Sequence, residues 1–332
     1  MTRYTGGPLG NNPRIALVTN DNLGNFVMAT PLMQMLRDAH GATLDYFGGS
    51  RVMELAEESD LVDFAYPLHG AATRDTAAEL ARREYDLVMN VEWTTWAKAA
   101  ASIMAGPDTL VCGPCLRADG RADLEFPEDE TGTLWLDKEW VSPEILDSYP
   151  ILQTPHISEI FCRLAYLKGD VPKYLLPRVE PTGDVPDVWV SATASLPEKL
   201  WPAEKWMAIV KRIQAAGKTI GLLGAKPSVQ SQFWKGGGVE DQLVEAGVAD
   251  FRGAFTLPGV VGAIAAAKAV LTLDNGILHL AAATDVPIVG LFREGIHRLW
   301  APPSENLKIL HPNPGDLVAA ISVDDVALAL GL

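Results

Sequence analysis

The chain has 332 residues, of which 48% are hydrophobic and 21% are charged, a composition typical of globular rather than disordered proteins. Its 27 Lys and Arg residues against 42 Asp and Glu residues give a formal net charge of −15 with the six His neutral. This balance argues against a nucleic-acid partner, because binding a phosphate backbone needs clustered Lys and Arg.

No apolar run approaches the roughly 18 residues that a membrane span needs. The N-terminal segment MTRYTGGPLGNNPR lacks the apolar core of a signal peptide. We therefore expect a cytoplasmic protein with at most peripheral membrane contact. At about 150 residues per domain, the length predicts two domains.

Short apolar runs alternate with segments of helical periodicity in the first half of the chain, which predicts a parallel sheet covered by helices. The predicted strands are 15–19, 44–47, 64–67, 86–91 and 110–112. The predicted helices are 26–39, 51–58, 76–83, 94–105 and 154–167. Pro31 predicts a kink in the first helix, or a start near Ala29. The stretch 113–150, rich in charge, Gly and Pro, predicts a loop-rich excursion.

A second alternating series fills the other half. Its predicted strands are 188–191, 219–223, a short strand ending at 251–253, 270–273, 288–292 and 307–310. Its predicted helices are 203–216, 257–267, 278–284 and 323–330. Prolines 172, 177, 181 and 186 mark a linker. We expect an N-terminal Rossmann-like domain at 1–172, a Pro-rich linker at 173–186 and a second Rossmann-like domain at 187–332, whose last helix can pack back on the first domain.

The three cysteines include a Cys112-Gly-Pro-Cys115 run, the four residues of the thioredoxin redox pair. A reactive thiolate of that kind lies at the start of a helix, which lowers its pKa, whereas a loop-like run follows here. A structural zinc site would need four ligands, and no second Cys/His pair stands nearby in the sequence. The favoured interpretation is a turn at the end of a buried strand.

In paired α/β domains, ligands bind beyond the carboxyl ends of the strands, and one such end leads into Asp274-Asn275-Gly276 and a small-residue helix. Asp274 or Asn275 can cap that helix, and Gly276 lets a ligand approach the backbone. The free N–H groups and dipole of the helix start favour a phosphate, which His279 can also hydrogen-bond. The alternative is a capped helix with a hydrogen-bonded core histidine.

The loop after the first strand of the second domain carries Thr193, Ser195 and Lys199. The two hydroxyls can donate hydrogen bonds, and Lys199 can balance a diphosphate in so acidic a chain. The alternative is an ordinary surface lysine. The loops after Gly224 and around 252–256 are expected to form the pocket for a nucleotide base.

The first strand leads into the loop 20–25, whose single Gly24 does not make the Gly-x-Gly-x-x-Gly dinucleotide fingerprint. This loop either places polar side chains at the floor of a site or simply caps a helix. Trp93 and Trp96 either stack a sugar or fill the core. No Walker loop, His-Glu-x-x-His, Gly-x-Ser-x-Gly or Asp-x-Asp occurs at the strand ends, so no metal site is predicted.

Several of these segments together resemble the family-nine glycosyltransferases, the heptosyltransferase family of lipopolysaccharide core synthesis. NLGNFVMATPLMQMLRD is similar to the family's Ser-Leu-Gly-Asp…Thr-Pro-x-Leu-x-x-Leu-Arg opening, and YDLVMNVE to its Tyr-Asp-x-Val-x-Asp-Leu-Gln. Lys199–Pro202 matches its Lys-Arg-Trp-Pro segment. The most specific piece, DNGILHLAAATDVPIVGLF, resembles Asp-[Ser/Thr]-Gly-x-x-His-Leu-Ala-Ala-Ala…Pro-x-Val-x-Leu-Phe.

The resemblance implies the GT-B architecture, an α/β fold in which two doubly wound Rossmann-like domains face each other across a cleft. It implies an acceptor on the N-terminal domain and a nucleotide-sugar, of the ADP type, on the C-terminal one. Thr193 and Lys199 would hold the donor diphosphate, with Asp274, Asn275, Gly276 and His279 completing the pocket. Family members typically invert the sugar's configuration and need no metal, since a lysine and a helix start can stabilise the leaving diphosphate.

One position departs from the family. The opening motif carries an Asp, the presumed general base, where this chain has Asn25, and an amide cannot accept a proton at neutral pH. Asp21, Glu92 or Glu294 can take over, or transfer activity has been lost, or the acceptor needs little help from a base. We therefore expect a glycosyltransferase that moves a sugar to a glycan or to a lipid-linked or soluble glycoconjugate. The alternatives are a nucleotide-sugar-binding scaffold and a sugar-nucleotide epimerase or hydrolase.

Overall fold

The computed structural model describes residues 1–69, 76, 80–233 and 235–332. It divides into two compact units, Met1–Leu175 and Leu176–Leu332. Each unit contains one six-stranded sheet in which every pair of neighbouring strands is parallel. None of the helices in the described ranges has both the length and the hydropathy of a bilayer-spanning segment.

The N-terminal sheet has the strand order β1-β6-β5-β2-β3-β4. Its strands are β1 (Thr2–Arg3), β2 (Arg14–Val18), β3 (Thr43–Gly49), β4 (Phe64–His69), β5 (Leu87–Asn90) and β6 (Leu110–Cys112). The helices are α1 (Leu23–His40), α2 (Met53–Glu57) with a 3-10 turn at Ser50–Val52, α3 (Thr95–Met104), α4 (Glu130–Leu136), α5 (Ile145–Ser148) and α6 (Ile157–Leu164). The central strand β2 has four of its five residues buried, as a strand covered on both faces requires.

The first helix begins at Leu23, so the predicted start near Ala29 is wrong. Pro31 lies inside α1 and supplies no N–H to the carbonyl of Val27. The hydroxyl of Thr30 donates to that carbonyl at 2.8 Å instead, which satisfies the acceptor that the proline leaves open. A neighbouring side chain therefore lets the helix run through a residue that ordinarily ends it.

The predicted loop-rich excursion at 113–150 contains the two short helices α4 and α5, which is a correction to the sequence prediction. Asp129 caps α4 by accepting a hydrogen bond from the N–H of Gly132 at 2.7 Å. The acidic run 128–130 thus supplies a helix cap. Residues 77–79 of the predicted helix 76–83 lie outside the described ranges.

The C-terminal sheet has the strand order β12-β11-β10-β7-β8-β9. Its strands are β7 (Val188–Ser191), β8 (Ile220–Leu222), β9 (Ala249–Asp250), β10 (Ala269–Leu273), β11 (Ile288–Leu291) and β12 (Leu307–Leu310). The helices are α7 (Ala203–Ala215), α8 (Pro227–Phe233), α9 (Gly237–Glu245), α10 (Leu257–Ala265), α11 (Gly276–Ala282), α12 (His297–Trp300) and α13 (Val323–Leu330), with 3-10 turns at Pro197–Lys199 and Val318–Ala320.

The sequence prediction missed α8, α9 and α12, and the strand predicted to end at 251–253 lies at 249–250. The last helix, α13, packs against α7, β11 and β12 of its own unit. Its residues Val326 and Ala327 belong to the C-terminal core. The predicted packing of this helix on the N-terminal domain stays a prediction. With two parallel sheets and flanking helices, the predicted α/β class is confirmed.

The Pro-rich segment 173–186 is anchored at its first residue and near its middle. The carbonyl of Lys173 accepts from Gln34 on α1 at 2.8 Å, so the segment begins as part of the N-terminal unit. The N–H of Val179 donates to the carbonyl of Pro258 at 3.0 Å, which ties the following residues to α10. Gly262, also on α10, lies directly under the backbone of Val179.

The Cys112–Cys115 run forms the turn that the sequence favours. Cys112 is the last residue of β6, and the cysteines are buried and not disulfide-bonded. The thiol of Cys112 donates to the carbonyl of Leu164 at 3.1 Å. Burial raises the pKa of Cys112 to about 12 and that of Cys115 to about 11, so neither thiol has the low pKa of a redox dithiol.

Replacing Gly262 with alanine should destabilise the C-terminal unit by about 1 to 3 kcal/mol, the scale of an overpacked core. A Cβ at this position would overlap the carbonyl oxygen of Val179. Gly238→Ala is the matched control, because that helical glycine has open space around it and the change should stabilise α9 by about 0.5 to 1 kcal/mol. Urea denaturation followed by fluorescence measures both, and equal midpoints for the two variants would contradict the docking of this segment.

Candidate active site

Parallel strands end at one edge of their sheet, so the loops after β7, β8 and β10 gather together. Thr193 follows β7, Gly224 follows β8, and Asp274 and Asn275 follow β10. Because β10 pairs directly with β7, and β7 with β8, these loops are neighbours. The three segments that the sequence predicted to form a donor site therefore meet at the carboxyl edge of the C-terminal sheet.

Asn275 is the residue that caps α11. Its Oδ1 accepts from the N–H of Ile277 at 2.9 Å and of Leu278 at 3.4 Å. Its Nδ2 donates to Ser191 Oγ at 3.1 Å and to the carbonyl of Thr193 at 2.9 Å. One side chain thus caps the helix and holds the neighbouring loop. The sequence left the cap open between Asp274 and Asn275, and the structure assigns it to Asn275.

Asp274 is consequently free to face Lys199. The Nζ of Lys199 lies 2.7 Å from Asp274 Oδ2 and donates to the Asp274 carbonyl at 3.4 Å. Their side chains are only 15% and 8% exposed, so solvent screens this pair weakly. An ammonium has three N–H groups, and among the described residues the third has no partner. The interpretation of Lys199 as an ordinary surface residue is therefore wrong.

His279 lies on the first turns of α11 and is buried. Burial lowers its pKa to about 4, against a smaller raising effect of Asp274, while the charge of Lys199 lowers it further. At neutral pH the imidazole is therefore uncharged. Its Nδ1 is buried without a hydrogen-bond partner among the described residues, so the alternative of a fully hydrogen-bonded core histidine does not describe it.

A buried polar cluster, formed by Thr193, Gln230, Glu240 and Arg252, lies beside these loops and was not predicted. Gln230 Nε2 donates to Thr193 Oγ1 at 3.2 Å and to Glu240 Oε2 at 2.7 Å. Arg252 Nη1 lies 3.8 Å from the same carboxylate oxygen. Burial raises the pKa of Glu240. The cluster holds the loop after β7 against α8 and α9.

The cluster also explains the position of Gly224. A Cβ there would lie 3.1 Å from Gln230 Nε2 and 3.5 Å from Arg252 Cγ, so a larger residue would press on the cluster. The backbone N–H of Ala192 donates to Glu240 Oε1 at 3.1 Å and extends the network to the end of β7. The sequence offered no signal for Gln230 and Glu240, because the helices that carry them were not recognised.

Three further polar residues, Ser195, Arg293 and Glu294, lie in loops at this edge of the sheet. Ser195 is exposed, and the structure does not draw it into the network. Arg293 follows β11 and was missed, although its place after a strand end was a usable signal. Its Nε is buried without a partner in the described residues, and its Nη1 is 3.5 Å from Glu198 Oε1. Glu294 lies 3.7 Å from Arg298 on the next turn.

The remaining candidates lie in the N-terminal unit. Asp21 is held by Arg51, whose Nε donates to Oδ2 at 2.8 Å and whose backbone N–H donates to Oδ1 at 3.3 Å. Asn25 lies half-buried in the first turn of α1. Glu92 follows β5, and its Oε1 accepts from the backbone N–H groups of residues 93 and 94 at 2.9 and 3.1 Å. Both oxygens of Asp21 are therefore engaged, whereas Glu92 uses one.

Within the described ranges, no three His, Cys, Asp or Glu side chains converge as a metal ion would require. The polar groups that the C-terminal edge does offer are a lysine ammonium with a spare N–H, an arginine with a buried unpartnered Nε, a neutral imidazole and the start of α11. These are groups that bind an anion.

Comparisons with known proteins agree with this geometry. The model of Glycosyltransferase family 9 (heptosyltransferase) matches residues 175–316. A family 9 glycosyl transferase from Veillonella parvula is 15% identical, with a TM-score of 0.73 and 97% of each chain covered. The ADP-heptose lipopolysaccharide heptosyltransferase II of E. coli is 19% identical, with a TM-score of 0.70 and 96% and 97% covered. No curated protein matches the chain.

A third solved structure, the E. coli heptosyltransferase WaaC with ADP, is 17% identical, with a TM-score of 0.66 over 96% of this chain and 99% of that one. At these identities the structures establish the fold, and they confirm the predicted GT-B class. The match to the family model covers Lys199, Asp274, Asn275, Gly276 and His279. Over residues 175–316 the chain thus matches the model of the family that the motifs predicted, Glycosyltransferase family 9 (heptosyltransferase).

Proposed function

We propose that the protein transfers a sugar from a nucleotide-diphosphate donor to a hydroxyl group of a glycan or glycoconjugate acceptor. The observation that carries this proposal is Lys199, whose ammonium is held 2.7 Å from Asp274 at the end of β10 with one N–H to spare. The chain has a net charge of −15, so the nearly buried ammonium of Lys199 at the start of α11 favours the binding of an anion. A diphosphate can contact both Lys199 and the start of α11.

The proposed reaction is a direct displacement. The acceptor oxygen bonds to the anomeric carbon as the bond from that carbon to the diphosphate breaks, which inverts the sugar's configuration. Negative charge grows on the leaving diphosphate. Lys199 and the positive end of the α11 dipole stabilise that charge, so the proposed reaction uses no metal ion. His279 contributes a neutral hydrogen-bonding group, since its pKa lies well below 7.

The proposed donor is of the ADP type, with a heptose as the first sugar to test. Support comes from WaaC of E. coli, a structural relative solved with ADP. We place the diphosphate at Thr193, Lys199, Asp274, Asn275, Gly276 and His279, and the base near Gly224, with Ser195 available at the exposed rim. Asp21 and Asn25, the catalytic positions that the sequence predicted, lie in the N-terminal unit, where Arg51 already engages both oxygens of Asp21. A glycan, a lipid-linked glycoconjugate and a soluble one all remain acceptors to be tested.

A second candidate is a nucleotide-sugar-binding scaffold without transfer activity. Two observations favour it: an amide stands at position 25, and the carboxylate of Asp21 is already paired with Arg51. Release of nucleoside diphosphate in the presence of an acceptor distinguishes the two candidates. A transferase would release it, whereas a scaffold would bind the donor without releasing it with any acceptor.

Lys199→Ala should weaken ADP binding by about 1 to 3 kcal/mol, the scale of a lost charged hydrogen bond. The variant also leaves the Asp274 carboxylate unpaired beside the phosphates. Isothermal titration calorimetry with ADP measures the change, and Lys211→Ala, an exposed lysine on α7, is the control expected to bind as the wild type does. Equal affinities for wild type and Lys199→Ala would remove the lysine from the donor site.

Acidification should destabilise the wild type through His279. The unfolded chain binds a proton at its imidazole near pH 6.5, whereas the folded protein does so only near its pKa of about 4. The stabilising contribution is therefore complete above pH 6.5 and is lost as the pH falls towards 4. Urea denaturation at pH 7 and 4.5 should show about 2 to 3 kcal/mol of this loss in wild type and none of it in His279→Gln. Parallel losses in both proteins would contradict the buried neutral state.

A further inference from the structure

Trp93 is an exposed aromatic residue at the carboxyl edge of the N-terminal sheet. It lies in the loop between β5 and α3, and its side chain is 43% exposed. The loop continues the pairing of β5 with β2, because the N–H of Val91 donates to the carbonyl of Val18 at 3.0 Å. Trp93 therefore lies beside the loop 20–25, which carries Asp21 and Asn25.

The indole ring rests on a packed aromatic support. The ring of Phe126 lies 5.7 Å from that of Trp93, and the ring of Trp135 lies 6.5 Å away. Phe126 and Trp135 stack on each other at 5.7 Å, and Trp135 is buried. Trp93 is thus held by neighbours while much of its surface meets solvent. Among the described residues its indole N–H has no hydrogen-bond partner, so it remains available as a donor.

Glu92 presents a carboxylate immediately before this ring. Asn90 is fully buried and holds the backbone of Glu92 from both sides: its Oδ1 accepts from the Glu92 N–H at 2.8 Å, and its Nδ2 donates to the Glu92 carbonyl at 2.9 Å. Oε1 of Glu92 accepts from two backbone N–H groups, and within the described ranges Oε2 accepts none. One oxygen therefore fixes the carboxylate, and the other is available to a ligand hydroxyl.

The residue types at positions 25 and 92 differ from the family pattern. Where the family pattern ends in Gln, this chain has Glu92, and where the opening motif has Asp, it has Asn25. The loops that carry these two positions follow the neighbouring strands β5 and β2. A carboxylate missing from one loop is thus present on the next loop of the same edge.

The cations around this ring are already paired. Arg51 is bound to Asp21, and Lys98, whose Nζ is 5.9 Å from the Trp93 ring centre, contacts both oxygens of Asp123 at 2.8 and 3.0 Å. Arg3, stacked over Phe126, donates to backbone carbonyls of residues 113, 124 and 125. These three cations are therefore already engaged, and Glu92 would repel an anionic ligand.

We propose that Glu92 and Trp93 form a binding subsite for an uncharged sugar ring, which is the acceptor of the reaction proposed above and so rests on it. The apolar face of the sugar packs on the indole, and a ring hydroxyl donates to Glu92 Oε2. In the transfer step that hydroxyl oxygen bonds to the anomeric carbon of the donor, its proton passes to Glu92, and the diphosphate leaves with the electron pair of the broken bond. Glu92 is the general base that Asn25 cannot be.

Saturation-transfer NMR tests the subsite with methyl β-glucoside, methyl β-galactoside and methyl α-mannoside, and with glucuronate and galacturonate as charged counterparts. We expect binding of at least one neutral glycoside and none of the uronates. Trp93→Ala should raise the Kd about five- to tenfold, and Trp93→Phe by less, on the scale of an aromatic stacking contact. Phe64→Ala is the matched control: that ring is 48% exposed, but it begins β4 at the opposite edge of the sheet.

The proposal fails if no neutral glycoside binds, if the uronates bind as well, or if Trp93→Ala leaves the Kd unchanged. Titration of the same proteins with ADP tests the donor site separately from the sugar subsite. Equal ADP binding by wild type and Trp93→Ala is expected, and a wild type that binds glycosides but not ADP would remove the proposed function while leaving the sugar site standing.

Transfer from ADP-heptose to a glycoside that binds tests the base. Glu92→Gln keeps an oxygen for the two backbone N–H groups, so the loop should be retained. We expect its kcat to fall at least about 100-fold with KM for the glycoside within about threefold, and Glu92→Asp to recover part of the loss. The assignment of Glu92 as the base is overturned if Glu92→Gln keeps the wild-type kcat. It is also overturned if Asp21→Asn loses kcat while Glu92→Gln does not, or if the wild type transfers to none of the glycosides that it binds.

Discussion

The side chain of Asn275 is the contact on which the C-terminal site depends. Its oxygen satisfies two N–H groups at the start of α11, and its nitrogen holds the loop after β7. An amide is suited to this position because it both accepts and donates, whereas a carboxylate only accepts. Since the helix is capped by Asn275, the carboxylate of Asp274 is free to pair with Lys199, and the cation is held at the sheet edge.

The polar groups of the C-terminal site cost free energy to bury, and hydrogen bonds among them offset that cost. Glu240 has no exposed surface, yet it accepts from Gln230 and from the backbone of Ala192 and lies near Arg252. A buried carboxylate without such partners would cost several kcal/mol. Within the described ranges, the buried His279 Nδ1 near Lys199 and Asp274 has no hydrogen-bond partner. An unsatisfied buried group at this place fits a site that a ligand completes.

The N-terminal edge follows a different rule: which carboxylate is available depends on which one has already been taken by a cation. Arg51 engages both oxygens of Asp21, while Glu92 is held by backbone N–H groups through one oxygen only. Asn90 shows why an amide can replace an acid in such a loop, because it donates to two carbonyls and accepts from one N–H. Asn90 thus holds its loop through hydrogen bonds that a carboxylate could not donate.

The sequence by itself determined the alternation of strands and helices, the two-sheet α/β class and the Asp274–His279 and Lys199–Pro202 segments, because periodicity and strand-end motifs are local properties. It missed α8, α9 and α12, whose short runs carry little periodic signal. Only the tertiary structure decided that Asn275 is the cap, that Lys199 pairs with Asp274 and that Arg51 claims Asp21. The Lys199–Asp274 contact joins residues 75 positions apart in the chain, and the Arg51–Asp21 contact residues 30 apart. The parallel sheet brings their strand ends together, and no local pattern records that meeting.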